Sequence, residues 1–265
     1  MLIAAIGRQG RSLLLWVLAA LFAAPYWLGP VLIWLTNKSR VPQWESPAPN
    51  GLADLPLAMR PFFERTDMAL VQDRFELVAV LRQATLAPGF TSWVALYVNR
   101  TQRERAVAHA HMPDRPHSAI RPKPSFYFVT HFADERLVET ANGDHINPFP
   151  AVAGKDSRQF PEVDDPRVLY RIHQIRSAPF GSALRKFPAE GAEVPFLTQA
   201  MADFYKLHVG TGYLREVEPD RLFRPTAKGA LVMTWTLLPP LSWLARRNRA
   251  RKNRAFLAEH YMLAV

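Results

Sequence analysis

Apolar residues gather in two uncharged stretches, Ser12 to Thr36 and Gly229 to Ala245. Between them lies a body in which apolar and polar positions alternate. The first stretch has 25 residues. At about 1.5 Å rise per residue it reaches roughly 37 Å, more than the ~30 Å hydrocarbon core of a bilayer. Trp16, Tyr26, Trp27 and Trp34 supply rings, and those toward the ends suit the headgroup level. Pro25 and Gly29-Pro30 predict kinks. A cleaved signal peptide is the rival reading, with Arg8 and Arg11 as its basic flank. The apolar run continues past Ala24, however, and Pro25 occupies the place of cleavage. An uncleaved transmembrane anchor over residues 1–37 is therefore expected. The chain has no cysteine, which excludes a thioether lipid anchor. The second stretch is shorter. Seventeen residues reach only about 25 Å, and Pro239-Pro240 interrupts them. Residues 226–245 read as a second transmembrane helix or an interfacial one.

The body begins with a Pro-rich linker over residues 38–58 and continues as a domain over residues 59–225. Phe62, Phe63, Met68, Leu70 and Val71 predict a short amphipathic helix. Phe75 to Leu81, Phe90 to Val98, Ala106 to Met112, Ser125 to Phe132 and Leu137 to Thr140 alternate like strands. Residues 133–136 make a hairpin of the last two. Asp165-Pro166 has the form of an N-cap and first-turn proline ahead of an apolar stripe at Val168, Leu169, Ile172 and Ile175. A second stripe from Phe196 to Leu207 stops at Gly210. Tyr213 to Val217 and Leu222 to Phe223 suggest a last small hairpin. The predicted class is α+β: an antiparallel meander of about five strands with flanking helices, an N-terminal transmembrane helix and a second C-terminal apolar helix.

Charge refines this picture. The net +10 divides into +2 for residues 1–37, +2 for residues 38–225 and +6 for residues 226–265. The excess lies in Arg246, Arg247, Arg249, Arg251, Lys252 and Arg254, next to the second apolar stretch. Basic residues so placed are held on the cytoplasmic side and face lipid headgroups. Residues 246–265 then form a basic cytoplasmic tail. Nucleic-acid binding is set aside, because the body is nearly neutral. The last helix and hairpin have a winged-helix outline, but Asp203 faces Lys206 and the helix is not basic. The expected arrangement is in a bacterial inner membrane: both stretches span, the body lies on the non-cytoplasmic side and the tail is cytoplasmic. If the second only lies on the membrane, the body shares the cytoplasmic side with its tail. Asn37-Lys38-Ser39 and Asn99-Arg100-Thr101 match glycosylation sequons, which matter only in a eukaryotic source.

Candidate chemistry is sparse. His109 and His111 form an H-x-H on a predicted strand, with both rings on one face. They can hold a metal if His131, Asp144 or His145 converges on them; a polar strand face is the plainer explanation. His173 sits one residue off an apolar stripe and reads as a boundary residue, and Asp164-Asp165 reads as a helix cap. Arg100, Arg103, Arg105, Arg115, Arg121 and Lys123 crowd one region, suited to headgroups, an anionic ligand or plain hydration. The chain has no G-x-S-x-G, H-E-x-x-H, Walker loop, G-x-G-x-x-G or C-x-x-C, and Gly210-Thr211-Gly212 follows a helix instead of opening one.

Phe128 to Asp134, Leu169 to His173 and Thr226 to Trp235 resemble landmarks of an uncharacterised bacterial membrane-associated family, over roughly residues 60–245. The resemblance implies a membrane-tethered α+β domain and no catalytic residue. The chain departs from it at Glu135, where a turn glycine is expected. The expectation is a membrane-anchored, non-catalytic binding or scaffolding protein without a cofactor. Its partners are the lipid bilayer and a membrane protein or a second copy, not nucleic acid. The alternatives are a membrane-tethered metal-dependent enzyme using His109 and His111, and a subunit of a membrane complex.

Overall fold

The alternating runs do form strands. The computed structural model describes residues 20, 23–45, 51–84, 90–113, 124–181, 183–219 and 222–261. Two units divide the chain. The larger comprises Arg40–His145, Pro150–Asp203 and Arg249–Val265; the smaller comprises Met1–Ser39, Ile146–Phe149 and Phe204–Asn248.

The larger unit is built on β2 (Glu76–Ala84), β3 (Phe90–Asn99), β4 (Glu104–Pro113), β5 (Ser125–His131), β6 (Leu137–Ala141) and β7 (Lys155–Gln159), paired in that order. The first five make the predicted antiparallel meander; β7 adds a parallel edge strand. Lys-Asp-Ser-Arg-Gln has no apolar alternation, so β7 leaves no strand signature. Period-two geometry sends Ala106, Ala108 and Ala110 to one face and Arg105, Val107, His109 and His111 to the other. The small alanines leave room for an aromatic layer. Phe75 and Phe128 lie 5.0 and 5.1 Å from Tyr170, and all three are buried. Each buried ring of this size contributes about 1.5–3 kcal/mol. The helices α2 (Arg60–Gln72) and α3 (Pro166–Ser177) supply Phe63, Leu70, Leu169 and Ile172 to the same core. As expected, Asp165 caps α3, accepting from Arg167 N at 2.8 Å ahead of Pro166. On the opposite face, residues 193–203 of α4 (Glu193–Gly210) bring Leu197 against Leu81, Val94, Leu96 and Val107.

The β5–β6 hairpin turns where predicted, and Glu135 adopts φ 65°, the left-handed conformation that a glycine takes without penalty.

The smaller unit contains α1 (residues 23–36), the hairpin β8 (Leu214–Glu218) and β9 (Leu222–Pro225), and α5 (Ala227–Leu237). Ser39, in the two-residue strand β1 (Ser39–Arg40), completes a sheet of order β1-β9-β8. Thr226 caps α5 by accepting from Gly229 N at 3.0 Å. Gly229 lies so close to the hairpin that a Cβ there would stand 1.9 Å from Tyr213 O.

The second apolar stretch is not one helix. It is α5, a turn at Pro239-Pro240, and the start of α6 (Leu241–Tyr261). Two successive residues without N–H donors explain the break. The single helix expected over residues 226–245 is therefore corrected to two, the second of which continues through the basic cluster. Among the described residues no helix is long and apolar enough to cross a membrane. Of the first stretch, residues 12–19 and 21–22 lie outside the described residues, as do Arg8 and Arg11.

Candidate functional site

The register of β4 decides what its histidines can do. His109 lies opposite Ser125 and His111 opposite Ser92. The imidazoles stand side by side, ring centres 5.3 Å apart, as H-x-H on a strand requires. Each finds a cross-strand hydroxyl: His109 Nε2 to Ser125 Oγ at 3.0 Å, and His111 Nδ1 to Ser92 Oγ at 2.6 Å. Burial, then the neighbouring His111 and His145, push His109 down to about 4; burial lowers His111 and His145 as well. These are neutral rings at pH 7, on a half-buried polar face.

The third expected ligand does not arrive. His131 is six residues along β5 from Ser125, the partner of His109, so about 20 Å separates them at the usual strand rise. Asp144 is occupied by Arg249. His145 alone stands within electrostatic reach of His109. Among the described residues no three histidine or carboxylate side chains are placed to hold a metal.

His131 instead sits beside Arg105, whose Nη2 donates to its Nε2 at 2.6 Å, while Phe196 of α4 lies 4.5 Å over the guanidinium. Arg100 pairs with Glu193 at 2.8 Å. Arg103 is exposed, and Arg115, Arg121 and Lys123 lie outside the described residues.

His173 is no boundary residue. It is wholly buried and bridges Thr130 Oγ1 at 2.9 Å and Thr140 Oγ1 at 3.0 Å. Thr130 gives its one hydroxyl proton to Glu104 Oε1, at 3.5 Å, and so accepts from His173 Nε2–H. This leaves Nδ1 of the neutral ring to accept from the Thr140 hydroxyl, itself an acceptor for Arg176 Nη1 at 2.7 Å. Glu104 also accepts from Tyr170 at 2.7 Å and Arg185 at 2.6 Å. The result is a directional polar chain through the core. The sequence position that missed it, one residue off the stripe, is the one that faces the two threonines on β5 and β6.

The six basic positions proposed for the membrane surface all fall on α6, where they divide. Arg249, Asn253, Phe256, Leu257 and His260 follow helical spacing on one face. Arg249 binds Asp144, Gln159 and the carbonyl of His145. Asn253, fully buried, donates to Gln159 O at 2.6 Å and accepts from Arg158 Nε at 3.1 Å. Phe256 packs 5.8 Å from Phe160. Residues 249–261 thus belong to the sheet unit and are not a separate tail. Arg246, Arg247, Arg251, Lys252 and Arg254 remain exposed, with Arg247 5.3 Å over the ring of Trp243.

Large exposed apolar side chains concentrate in the smaller unit. Trp27, Leu28, Val31, Leu32, Trp34 and Leu35 lie on α1; Leu231, Trp235 and Leu237 on α5; Leu241, Trp243 and Leu244 at the start of α6. Trp27 is 78% and Trp243 56% exposed. The larger unit, with twice the chain length, shows only Leu57, Met68, Val71 and Leu184 in this class among the described residues. Within the smaller unit, α1 and α5 approach so closely that a Cβ on Gly29 would lie 2.8 Å from Thr234 Cγ2. An apolar groove of about 440 Å³ opens along them, between Pro25, Leu28 and Leu32 on one side and Leu237 and Leu238 on the other. His208 of α4 is buried between Phe149 and Phe204 with neither ring nitrogen bonded among the described residues, and burial lowers its pKa.

Comparison of the chain with protein-family models, with curated proteins and with solved structures finds no match.

Proposed function

We propose that this is a membrane-attached, non-catalytic binding or scaffolding protein, held in the bilayer by its N-terminal apolar stretch and by the α5–turn–α6 segment, which dips into one leaflet. One observation carries the reading: the large exposed apolar side chains gather in the smaller unit, and monomeric soluble surfaces rarely expose contiguous apolar area on this scale. Charge agrees with it. The apolar segment around the Pro239-Pro240 turn, Leu231 to Leu244, is flanked by Arg224 and Lys228 before it and by Arg246 and Arg247 after it. From Lys228 to Leu238 a helical rise gives about 15 Å, half the thickness of a ~30 Å hydrocarbon core.

The chain leaves the sheet unit at Asp203 and rejoins it at Arg249. A single crossing by residues 229–245 would put the docked part of α6 across the membrane from the sheet it binds. This favours the interfacial reading, in which the second apolar stretch enters and leaves on one side. The basic residues of α6 support a body on the cytoplasmic side with them, in place of the non-cytoplasmic body expected from two spans.

Fractionation of the full chain after alkaline washing of membranes tests the attachment. Recovery in the soluble fraction refutes it. Quenching of Trp235 and Trp243 fluorescence by lipids brominated along their chains tests the dipping segment; unquenched rings remove that part.

A further inference from the structure

Arg105 is a cation with no carboxylate in salt-bridge contact among the described residues. It is only 4% exposed and its Nη1 has no hydrogen-bond partner among the described residues. Buried charges are normally paired, and an orphaned buried N–H points to a missing acceptor. The neighbouring carboxylates are committed elsewhere. Glu104 points to the opposite face and holds Arg185 and Tyr170, and Glu139 accepts from Ser157 at 2.6 Å. His131, Lys186 and Lys155 stand on the same side of the sheet as Arg105. The Arg105 Nη2–H occupies His131 Nε2, so the neutral ring carries its proton on Nδ1, which has no partner among the described residues. Lys186 N bonds to His131 O, which fixes that lysine beside the histidine. Lys155 lies two strands away in the same row, through the pairs His131–Leu137 and Leu137–Lys155. Burial first, and then Arg105, Lys155 and Lys186, push His131 down to about 3. Two anions compete: Glu139, in the row of Arg105 through the pairs Arg105–Val129 and Val129–Glu139, and Glu135, 3.2 Å from Lys186 in a surface pair that holds weakly.

We infer that Arg105, His131, Lys155 and Lys186 form a binding site for a phosphate-type oxyanion, which reaches Arg105 Nη1 beside the ring of Phe196. The half-buried Phe196, 5.4 Å from the His131 ring and 4.5 Å over the Arg105 guanidinium, forms one wall of the site. Free phosphate and a phosphomonoester lipid headgroup present the same three acceptor oxygens. The inference does not depend on the membrane reading.

The test is ³¹P NMR on the full chain in phosphatidylcholine nanodiscs, with inorganic phosphate added in one arm and phosphatidic acid included in the other. A saturable shift in the first arm identifies the ion as ligand; a shift in the second arm alone identifies the headgroup. In either arm Arg105→Gln abolishes the shift. Lys155→Ala with Lys186→Ala, at accessible positions that leave the fold intact, weakens binding several-fold, as the loss of two unit charges on the order of 10 Å from the anion requires in a water-like dielectric. No saturable shift in either arm, or a shift unchanged by the double lysine variant, overturns the site.

Discussion

Asn253→Ala should release α6 from the sheet. The residue is fully buried, and its amide makes two bonds, to Gln159 O at 2.6 Å and from Arg158 Nε at 3.1 Å. Alanine leaves both groups without a partner. Each costs about 1–3 kcal/mol when it stays dry, and partial rehydration at the edge strand brings the sum to about 2–4 kcal/mol. Arg249 and Phe256 still hold the helix, so the variant folds, but the locally open population rises. At 1.4 kcal/mol per decade the rise is roughly 30- to several-hundred-fold. Trypsin reports it directly, because Arg249, Arg251, Lys252 and Arg254 all lie on this helix and cleavage follows the open fraction when closing is fast. Cleavage within α6 should therefore accelerate by that factor while cleavage in α2 stays constant. Equal rates in α6 for the variant and the parent would refute its docking on the sheet.

Three further outcomes follow from the same geometry. Glu135→Gly relieves a side chain held at φ 65° and should stabilise the larger unit by about 1 kcal/mol, read as a rise in the thermal midpoint; a fall would show that its surface pair with Lys186 outweighs the backbone strain. Gly229→Ala places a methyl 1.9 Å from Tyr213 O and should loosen α5 from the hairpin, seen as faster amide exchange at Thr226 and Gly229; unchanged exchange would refute the close approach. His173 is held neutral with its pKa pushed down to about 3, below the 6.5 of an unfolded chain, so the unfolded state binds the extra proton and stability falls as pH drops from about 6.5. The slope is about 1.4 kcal/mol per pH unit for this one group, and His173→Gln should remove that share of the decline between pH 6.5 and 5; an identical decline would refute the assignment.

The meander and the cap of α3 were legible because their signals are local: alternation with β-branched and aromatic residues, and Asp165 ahead of Pro166. The parallel strand β7 was not, since an edge strand made of polar residues looks like a loop. Composition also hid α6. Arginine and lysine dominate its middle, and the docking stripe of Arg249, Asn253, Phe256 and Leu257 emerges only when helical spacing is applied through the charges. The interruption at Pro239-Pro240 was legible in residues 229–245, but not that it divides the stretch between two helices, the second continuing through the basic cluster. For the histidines the missing information was register. Sequence shows that His109 and His111 share a face, but only the pairing of Ser125 with His109 shows that His131 lies at the far end of that face.

The central claim is that the body and the basic helix share one side of the membrane. The chain has no cysteine, so single cysteines introduced at exposed Arg82 and at exposed Lys252 report sidedness without background. An impermeant maleimide is applied to intact cells and to inverted membrane vesicles. The account predicts that both positions label in inverted vesicles and neither labels in intact cells. Labelling of Arg82→Cys from outside with Lys252→Cys labelled only from inside would contradict it.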